Sequence, residues 1–349
     1  MKVQTINGRN YRLPERLNEF QRELYVHLVD WKWSHITTEP GFDHSRGREI
    51  PYDAILPERQ REDLLLIHPS VRDDLRRHAE KNGFRLHKHF HHMASSQAAC
   101  VNLFLPILHH IRANEILAQL RPDFASLATD HLDNGYCLEF WGGNFDNDRS
   151  ATGPLGDKSA FSGTDSDLAI AYRNRAGELC LWLIEHKLAE AEFTPCGGYT
   201  SRGRKEHPAC DCNRSFAEIH ADRDICYHHH VRNRQYWTLT EQSSGLFGGP
   251  SRNGGCPFQG GMNQLWRNLL LAFALEQDDR EPYRHASFSV VKHHRNRYLD
   301  TTLNDFAALV GGDPRFSLLT SQDILQAADS LEDCDLTSWT GWYRTLYKV

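Results

Sequence analysis

The chain has 349 residues, of which 40% are apolar and 25% charged, and its formal net charge is -6. That length suits one large domain with additions or two domains, and the composition is that of an ordinary globular protein. No stretch approaches the roughly 18 apolar residues of a membrane span, and the N-terminus lacks the apolar core of a signal peptide, so we expect a cytoplasmic protein. The acidic balance argues against a protein that coats nucleic acid indiscriminately.

Residues 1–92 are predicted to form a helical N-terminal region. Residues 14–33 repeat apolar side chains with a period of about 3.6, which indicates an amphipathic helix. A second helix is predicted over residues 57–81, with Gly83 as a typical stop signal just beyond it. The region carries no recognisable chemistry, and the sequence leaves open whether it packs on the core, dimerises or contacts DNA.

An apolar helix and a strand are predicted next along the chain. Ser95 is a suitable N-cap for the apolar segment 98–120, and Pro106 within that segment should kink the helix or divide it in two. Residues 135–142 have the composition of a strand bounded by glycines. Glu139 faces away from its two apolar neighbours in that strand, which leaves a carboxylate on the opposite face.

Residues 163–187 are predicted to form a β hairpin. The apolar runs 167–172 and 179–184 contain β-branched and aromatic residues and are short, which favours strands over helices. The loop between them contains Gly177, which can adopt the left-handed conformation that a three-residue hairpin loop requires. The two runs therefore pair as neighbouring antiparallel strands.

The register of this hairpin gathers charged groups on one face. Counting back from Asn174, the strand residue next to the loop, puts Asp167 opposite Glu185. Because side chains alternate with a period of two, Lys187 lies on the face of Glu185, and Asp165 on the face of Asp167. Ordinary cross-strand spacing then confines two carboxylates and an ammonium to a patch about 5 Å across.

Such a patch suits a hard cation. Opposed carboxylates repel each other unless a cation lies between them, and oxygen ligands suit Mg²⁺ or Mn²⁺. A lysine beside the ion can orient a water and offset charge on a phosphate. The alternative is a surface salt bridge, since Glu-x-Lys is common on exposed strands. The apolar run that continues up to Ile184 favours a strand buried on both faces instead.

Five of the nine cysteines fall in the segment 191–260, which is rich in glycine, arginine and histidine. The segment lacks the apolar periodicity of a core, so we expect a metal staple, or else reduced thiols in a flexible loop. Either Zn²⁺ or a four-cysteine iron–sulfur cluster fits the thiolates. The predicted ligands are Cys196, Cys210, Cys212 and Cys226, with Cys256, His207, His220 and His228 as substitutes.

Two basic segments, residues 202–205 and 223–234, could contact DNA or could be solvated loops. The chain contains 21 histidines, with clusters at residues 87–92 and 228–230. We expect most of these histidines to be surface residues that bind nothing.

The remaining elements complete a core and a C-terminal extension. The predicted elements are a helix over 263–276, a strand over 286–292, a helix over 303–310, a strand over 316–319 and a helix over 321–330. Ser321 is the predicted N-cap of the last helix. Residues 311–349 are expected to pack on the core through the aromatic side chains of their tail.

An acidic residue on one strand and Glu-x-Lys on the next resemble the signature of the PD-(D/E)xK nuclease superfamily. The predicted order αβββαβ is similar to the core of the restriction-endonuclease-like fold, which makes this an α/β protein. Over residues 93–310 the chain resembles more closely the PGN-type restriction endonuclease family. The matching motifs are Ser95-Ser96-Gln97-Ala98, Asn102-Leu103-Phe104, the Asp167 strand, Glu185-x-Lys187 followed by Glu190, and Gln264-Leu265-x-Arg267-Asn268.

This resemblance implies a site for metal-dependent cleavage of phosphodiester bonds. It implies Asp167 and Glu185 as metal ligands and Lys187 as the catalytic lysine. The further residues that it implies are Glu139 or Glu115 as an additional carboxylate and Gln264 as a polar group presented by the following helix. His186 departs from the family pattern, in which an apolar or aromatic residue stands between the glutamate and the lysine.

The predicted function is an Mg²⁺- or Mn²⁺-dependent nuclease. Asp167, Glu185 and the backbone carbonyl of His186 would bind the ion, and Lys187 would help to form hydroxide in line with the phosphate. We expect DNA rather than RNA as the substrate, in restriction, phage defence or DNA processing, and a homodimer remains open. One alternative is a nucleic-acid-binding module that uses a zinc or iron–sulfur insertion without cleavage. Another is a phosphodiesterase or other hydrolase that acts on a small substrate.

Overall fold

The computed structural model describes residues 2–45, 47–82, 86–142, 152–157, 163–200, 210–243, 245–248, 254–279 and 282–349. Gly83, His207 and the basic segment 202–205 lie outside these residues. Within the described ranges, every helix is too short or too polar to cross a lipid bilayer.

The N-terminal region combines two β hairpins with two helices. Its elements are β1 (Lys2–Ile6), β2 (Arg9–Leu13), α1 (Glu19–His35), β3 (Gly41–Ser45), β4 (Arg48–Tyr52) and α2 (Arg72–Asn82). The amphipathic helix α1 is confirmed, and it begins after a capping box formed by Asn18 and Gln21. The predicted helical region therefore also contains two β hairpins that were not predicted from the sequence. Asn7 and Gly8 both have positive φ, at 50° and 77°, and form the tight turn that joins β1 to β2.

The predicted helix over residues 57–81 forms only in its last part, as α2. Two short 3-10 turns precede α2, at Glu58–Gln60 and Pro69–Val71. Pro69 explains the break, because a proline disfavours helical backbone at the residue before it. His68 accordingly has extended backbone, with ψ of 132°.

A mixed sheet forms the centre of the molecule. The elements from residue 96 onwards are α3 (Ser96–Leu108), α4 (Ala113–Leu120), β5 (Phe124–Leu127), β6 (Tyr136–Phe140), β7 (Ser166–Asn174), β8 (Leu179–Lys187), α5 (Gly197–Thr200), α6 (Phe216–Ala221), α7 (Tyr227–His230), α8 (Tyr236–Gln242), α9 (Met262–Gln277), β9 (His285–Lys292), α10 (Asp300–Leu309), β10 (Phe316–Thr320), α11 (Ser321–Asp329) and α12 (Cys334–Tyr347). The strand order is β10-β9-β8-β7-β5, and β6 also pairs with β7. β7 runs antiparallel to β8, whereas β8, β9 and β10 are mutually parallel.

β8 lies between β7 and β9, and all nine of its residues are buried. Its side chains alternate between two hydrophobic cores, one on each side of the sheet. Trp182 and Ile184 belong to one core, and Leu181 and Leu183 to the other. The expectation of a strand buried on both faces is therefore confirmed. Full burial of each of these side chains contributes about 1.5–3 kcal/mol to stability.

Helices cover both faces of the sheet. α3 packs with α1, α11 and α12 on the face of Trp182, while α9 packs on the face of Leu181. Pro106 stays inside α3, and the predicted apolar helix divides after Leu108. β5 was not predicted from the sequence.

The insertion packs against α9, contrary to the expectation that it has no apolar core. Trp237 and Phe258 are almost completely buried, and the Phe258 ring stacks on Trp266 of α9 with centroids 4.0 Å apart. The prediction failed because these aromatic residues are far apart in the sequence and show no periodicity.

The C-terminal extension packs on the core as predicted, through buried residues that include Trp339 and Tyr347. The N-cap of α11 is Thr320 rather than the predicted Ser321. The Thr320 side chain accepts a hydrogen bond from the Asp323 N–H, and the Asp323 side chain accepts one from the Thr320 N–H. Because Thr320 is also the last residue of β10, the strand leads directly into the helix.

Candidate active site

The β7–β8 hairpin has the register predicted from its turn. Tyr172 pairs with Cys180 and Leu168 with Ile184, so Asp167 and Glu185 are the next residues of the two strands. Gly177 has a φ of 80°, and the Asn174 N–H donates to the Glu178 carbonyl at 3.0 Å. A left-handed glycine in the loop therefore fixes the position of the charged residues at the other end of the hairpin.

Glu185 is held by three donors. Lys187 Nζ and Gln264 Nε2 lie 2.8 and 2.6 Å from Glu185 Oε1, and Asn268 Nδ2 lies 2.9 Å from Oε2. Gln264 and Asn268 are one turn apart on α9, so that both amides reach the same carboxylate. Glu185 is only 4% exposed. Its orientation is therefore set by β8 and α9 together.

Asp167 is fixed by the backbone of the neighbouring strand. Its Oδ2 accepts a hydrogen bond of 2.6 Å from the His186 N–H. Burial, followed by repulsion from Glu185 and Glu139, raises the pKa of Asp167 well above its ordinary value. Bringing a cation to this carboxyl would oppose that shift, because a positive charge favours the ionised form.

Two further carboxyl groups, Glu139 and Asp165, face the same site. Burial and the charge of Asp165 raise the pKa of Glu139 to about 8, and Gln97 Nε2 donates to Glu139 Oε1 at 2.7 Å. Burial and the charge of Glu185 raise the pKa of Asp165 to about 6. The strands β6, β7 and β8 thus direct Glu139, Asp167 and Glu185 towards the same site.

Glu139 has a strained backbone conformation. Its φ is 52°, in the left-handed region that non-glycine residues rarely adopt. Leu138 and Phe140, on either side, both pair with β7. The strain costs on the order of 1–3 kcal/mol and is typical of residues whose direction matters for function.

Lys187 and His186 point into different surroundings. Burial alone lowers the pKa of Lys187, but the carboxylates of Glu185, Glu190 and Asp167 outweigh it and raise that pKa above its ordinary value. Lys187 is therefore a charged ammonium. Burial lowers the pKa of His186 to about 4, so its fully buried imidazole is neutral and replaces the apolar residue expected there.

The carboxyl groups line a cavity of about 710 Å³ whose other wall comes from the N-terminal region. Glu139, Asp165, Asp167 and Glu190 form the acidic side, whereas Glu185 and Lys187 are not among the lining residues. The opposite wall contains Gln21, Tyr25, Asp43, Tyr52, Ile55, His87, His89 and His92. This wall could not be predicted from the sequence, because residues 1–92 carry no recognisable motif.

Other predicted residues lie elsewhere. Glu115 is 55% exposed at its side chain and pairs with Arg112 at 2.6 Å, so it does not join the carboxyl group cluster. Cys196, Cys226 and Cys256 are buried within the insertion, and Cys210 and Cys212 are partly buried there. Gln97 and Asn268 belong to the matching motifs without an implied role, and the fold brings both amides into contact with carboxylates. Their contacts bridge separate elements, so that no local spacing could have assigned them.

Comparison with known proteins identifies the family. The family model described as Restriction Endonuclease associating with ARP matches residues 27–348. No curated protein and no solved structure matches the chain. The match confirms the restriction endonuclease resemblance and indicates a nuclease with a nucleic acid substrate, and it differs in description from the PGN-type family. The chain therefore belongs to the restriction endonuclease family whose members are described as associating with ARP.

Proposed function

We propose that this protein is a metal-dependent DNA nuclease of the PD-(D/E)xK type, in which Asp167, Glu185 and Lys187 form the catalytic centre. The observation that carries the proposal is the anchoring of Glu185 by Lys187, Gln264 and Asn268 beside three further carboxyl groups. A surface salt bridge would need no such anchoring.

The order of elements supports this assignment. α3, β6, β7, β8, α9 and β9 occur in this order along the chain, with α4 and β5 inserted after α3 and the short helices α5–α8 inserted after β8. This order is compatible with an αβββαβ core. β6, β7, β8 and β9 are also neighbours in the sheet, and α3 and α9 cover its opposite faces. The site thus lies at the end of the β7–β8 hairpin, between the two helices.

The carboxyl groups fit a hard divalent ion. Glu139, Asp165, Asp167 and Glu185 lie near one another, and carboxylate oxygens are the donors that Mg²⁺ and Mn²⁺ prefer. Burial and repulsion from neighbouring carboxylates raise the pKa of Glu139, Asp165 and Asp167. Asp167, Glu185 and the His186 carbonyl would hold the ion. When bound, the ion would lower the pKa of a water and neutralise negative charge on the phosphate.

The residues of the chain would prepare the substrate for attack. Lys187, as a buried ammonium, donates to a water or to a phosphate oxygen and stabilises the charge that grows there. Gln264 and Asn268 prevent Glu185 from turning away, and Gln97 does the same for Glu139. This fixed geometry reduces the reorganisation that the reaction would otherwise require.

The test is a cleavage assay with Lys187→Ala. We expect the wild-type protein to cut DNA with Mg²⁺ or Mn²⁺ and to stop when a chelator is added. We expect Lys187→Ala to lose about 100-fold or more in rate, because one preorganised donor to a developing charge contributes that much. Circular and linear DNA, single-stranded DNA and RNA are compared in parallel.

Lys81→Ala is the matched control. Lys81 also pairs with a carboxylate, Asp133, at 2.6 Å, but it is exposed and does not line the cavity. The Lys81→Ala variant should cleave DNA as fast as the wild type. Equal activity of Lys187→Ala and wild type would overturn the catalytic assignment. Retention of DNA in a gel without metal-dependent cleavage by the wild type would instead support a binding module.

A further inference from the structure

Four cysteines from separate parts of the insertion lie close together. The sulfur atoms of Cys210 and Cys226 are in hydrogen-bonding contact with each other. Cys210 also interacts electrostatically with Cys196 and Cys256. No disulfide joins the cysteines of the described residues. The fold therefore gathers four thiols that the sequence separates widely.

Backbone N–H groups surround these sulfur atoms. The donors are Gly198 and Tyr199 for Cys196, Tyr227 for Cys210, His228 and His229 for Cys226, and Phe258 for Cys256. Cys196, Cys226 and Cys256 each accept from the residue two positions further along, so the same turn occurs three times. Burial raises the pKa of Cys196 and Cys256, and the contact with Cys226 raises that of Cys210. The N–H groups act in the opposite direction and would support the thiolate form when a metal binds.

The turns that carry the cysteines are packed tightly against one another. A Cβ atom on Gly198 would lie 3.1 Å from the Tyr227 side chain. A Cβ atom on Gly255 would clash with the Cys212 carbonyl oxygen, which accepts a hydrogen bond of 2.9 Å from the Cys256 N–H. Both glycines permit this close approach between the turns.

The spacing of the thiols constrains what can bind. Among the described residues, no three cysteine sulfurs lie within 4.8 Å of one another. Sulfur atoms around one tetrahedral zinc ion are about 3.8 Å apart, since each Zn–S bond is about 2.3 Å. A zinc ion would therefore draw the turns closer, whereas an iron–sulfur cluster would require Cys210 and Cys226, which are in contact, to move apart.

We propose that Cys196, Cys210, Cys226 and Cys256 form a four-thiolate site for a thiophilic metal, which cross-links the insertion next to α9. Cys256 takes the place that the sequence assigned to Cys212, because Cys256 interacts with Cys196, Cys210 and Cys212, whereas Cys212 contributes its backbone carbonyl. None of these cysteines lines the cavity of the carboxyl groups. Its role is to hold together segments that approach one another only in the folded chain.

The first experiment measures the metal in the purified full-length protein. Elemental analysis is combined with a visible spectrum. One zinc ion per chain, or iron with sulfide and a visible absorbance band, supports the site and distinguishes its two forms. Protein without either metal, which also fails to bind added Zn²⁺ or to give a thiolate-to-cobalt absorbance band with Co²⁺, overturns the proposal.

Variants then identify the ligands. Cys226→Ser and Cys256→Ser should lose the metal and lower the melting temperature by on the order of 5 °C. Cys334→Ser, on the exposed start of α12, is the matched control and should keep the metal, as should Cys212→Ser. If the ligand variants fail to fold, alkylation of the wild type replaces them. Four thiols should be protected until a chelator is added, and equal reactivity with and without chelator would overturn the site.

Discussion

At the scale of the residue, the site depends on amides that orient carboxylates. Gln264 and Asn268 each donate to a different oxygen of Glu185, and Gln97 donates to Glu139. A carboxylate with three donors loses its rotational freedom, and a buried one that loses a donor is left partly unpaired. These amides are therefore positioning residues, and their removal should affect rate more than substrate binding.

Asn268→Ala tests this role. We expect kcat to fall about 10- to 100-fold while KM changes little, because Glu185 is free to shift from its working position. The free energy of unfolding should fall by about 1–3 kcal/mol, the cost of a lost hydrogen bond to a buried charged group. Steady-state kinetics and urea denaturation provide the two measurements.

Asn263→Ala is the matched control for Asn268→Ala. Asn263 is buried on the same helix, but its Nδ2 has no hydrogen-bond partner within the described part of the chain. The Asn263→Ala variant should keep the kcat of the wild type. If Asn268→Ala also kept its kcat, the positioning role of this amide would be refuted.

At the scale of the element, a buried lysine joins α1 to the second hairpin. Lys32 Nζ donates to the backbone carbonyls of Glu39, Asp53 and Ile55 at 2.7, 2.7 and 3.0 Å. Burial lowers the pKa of Lys32 to about 8, so its charge is retained at the expense of stability. In return, one side chain satisfies three carbonyls around β4, whose last residue, Tyr52, lines the cavity.

Lys32→Met should destabilise the protein strongly. The substitution keeps the length of the side chain but leaves the carbonyl oxygens of Glu39 and Asp53 without their donor, whereas the Ile55 carbonyl still accepts from the Gly41 N–H. We expect a loss of about 3–5 kcal/mol in the free energy of unfolding, measured by urea denaturation. Lys2→Met, at an exposed position of β1, should change stability by less than about 0.5 kcal/mol. A loss for Lys32→Met as small as that of the control would contradict this account.

At the scale of the whole molecule, the N-terminal region is part of the site. α1 is joined to the segment after β8 by a hydrogen bond of 2.9 Å from Gln21 Nε2 to the Ala189 carbonyl. It is joined to α12 by a hydrogen bond of 2.8 Å between His27 Nε2 and the Thr345 carbonyl. His87, His89 and the tyrosines Tyr25 and Tyr52 line the same cavity as the carboxyl groups. We expect this wall to bind the substrate strand and not to take part in the chemistry.

The double variant His87→Ala/His89→Ala tests the wall. Each imidazole can donate to a phosphate oxygen, and one such hydrogen bond contributes about 0.5–1.5 kcal/mol. We therefore expect KM for nucleic acid to rise roughly 5- to 100-fold with kcat nearly unchanged. His285→Ala, 55% exposed at the start of β9, is the control. A fall in kcat with unchanged KM would refute a binding role.

The sequence by itself determined the β7–β8 hairpin and the face on which Asp167, Glu185 and Lys187 lie. Its turn chemistry and its period of two are local properties, and together they fix the register without help from the rest of the chain. The long apolar helices α3 and α9 and the strand β9 were predictable for the same reason. Their patterns are complete within a few turns.

Only the tertiary structure decided what surrounds these three residues. Gln97 meets Glu139, Asn268 meets Glu185, and the N-terminal hairpins face the carboxyl groups, all across long stretches of sequence. The positive φ of Glu139 and the gathering of the cysteines are likewise imposed by packing. Contacts between distant segments depend on how whole elements pack, and neither periodicity nor turn composition records them.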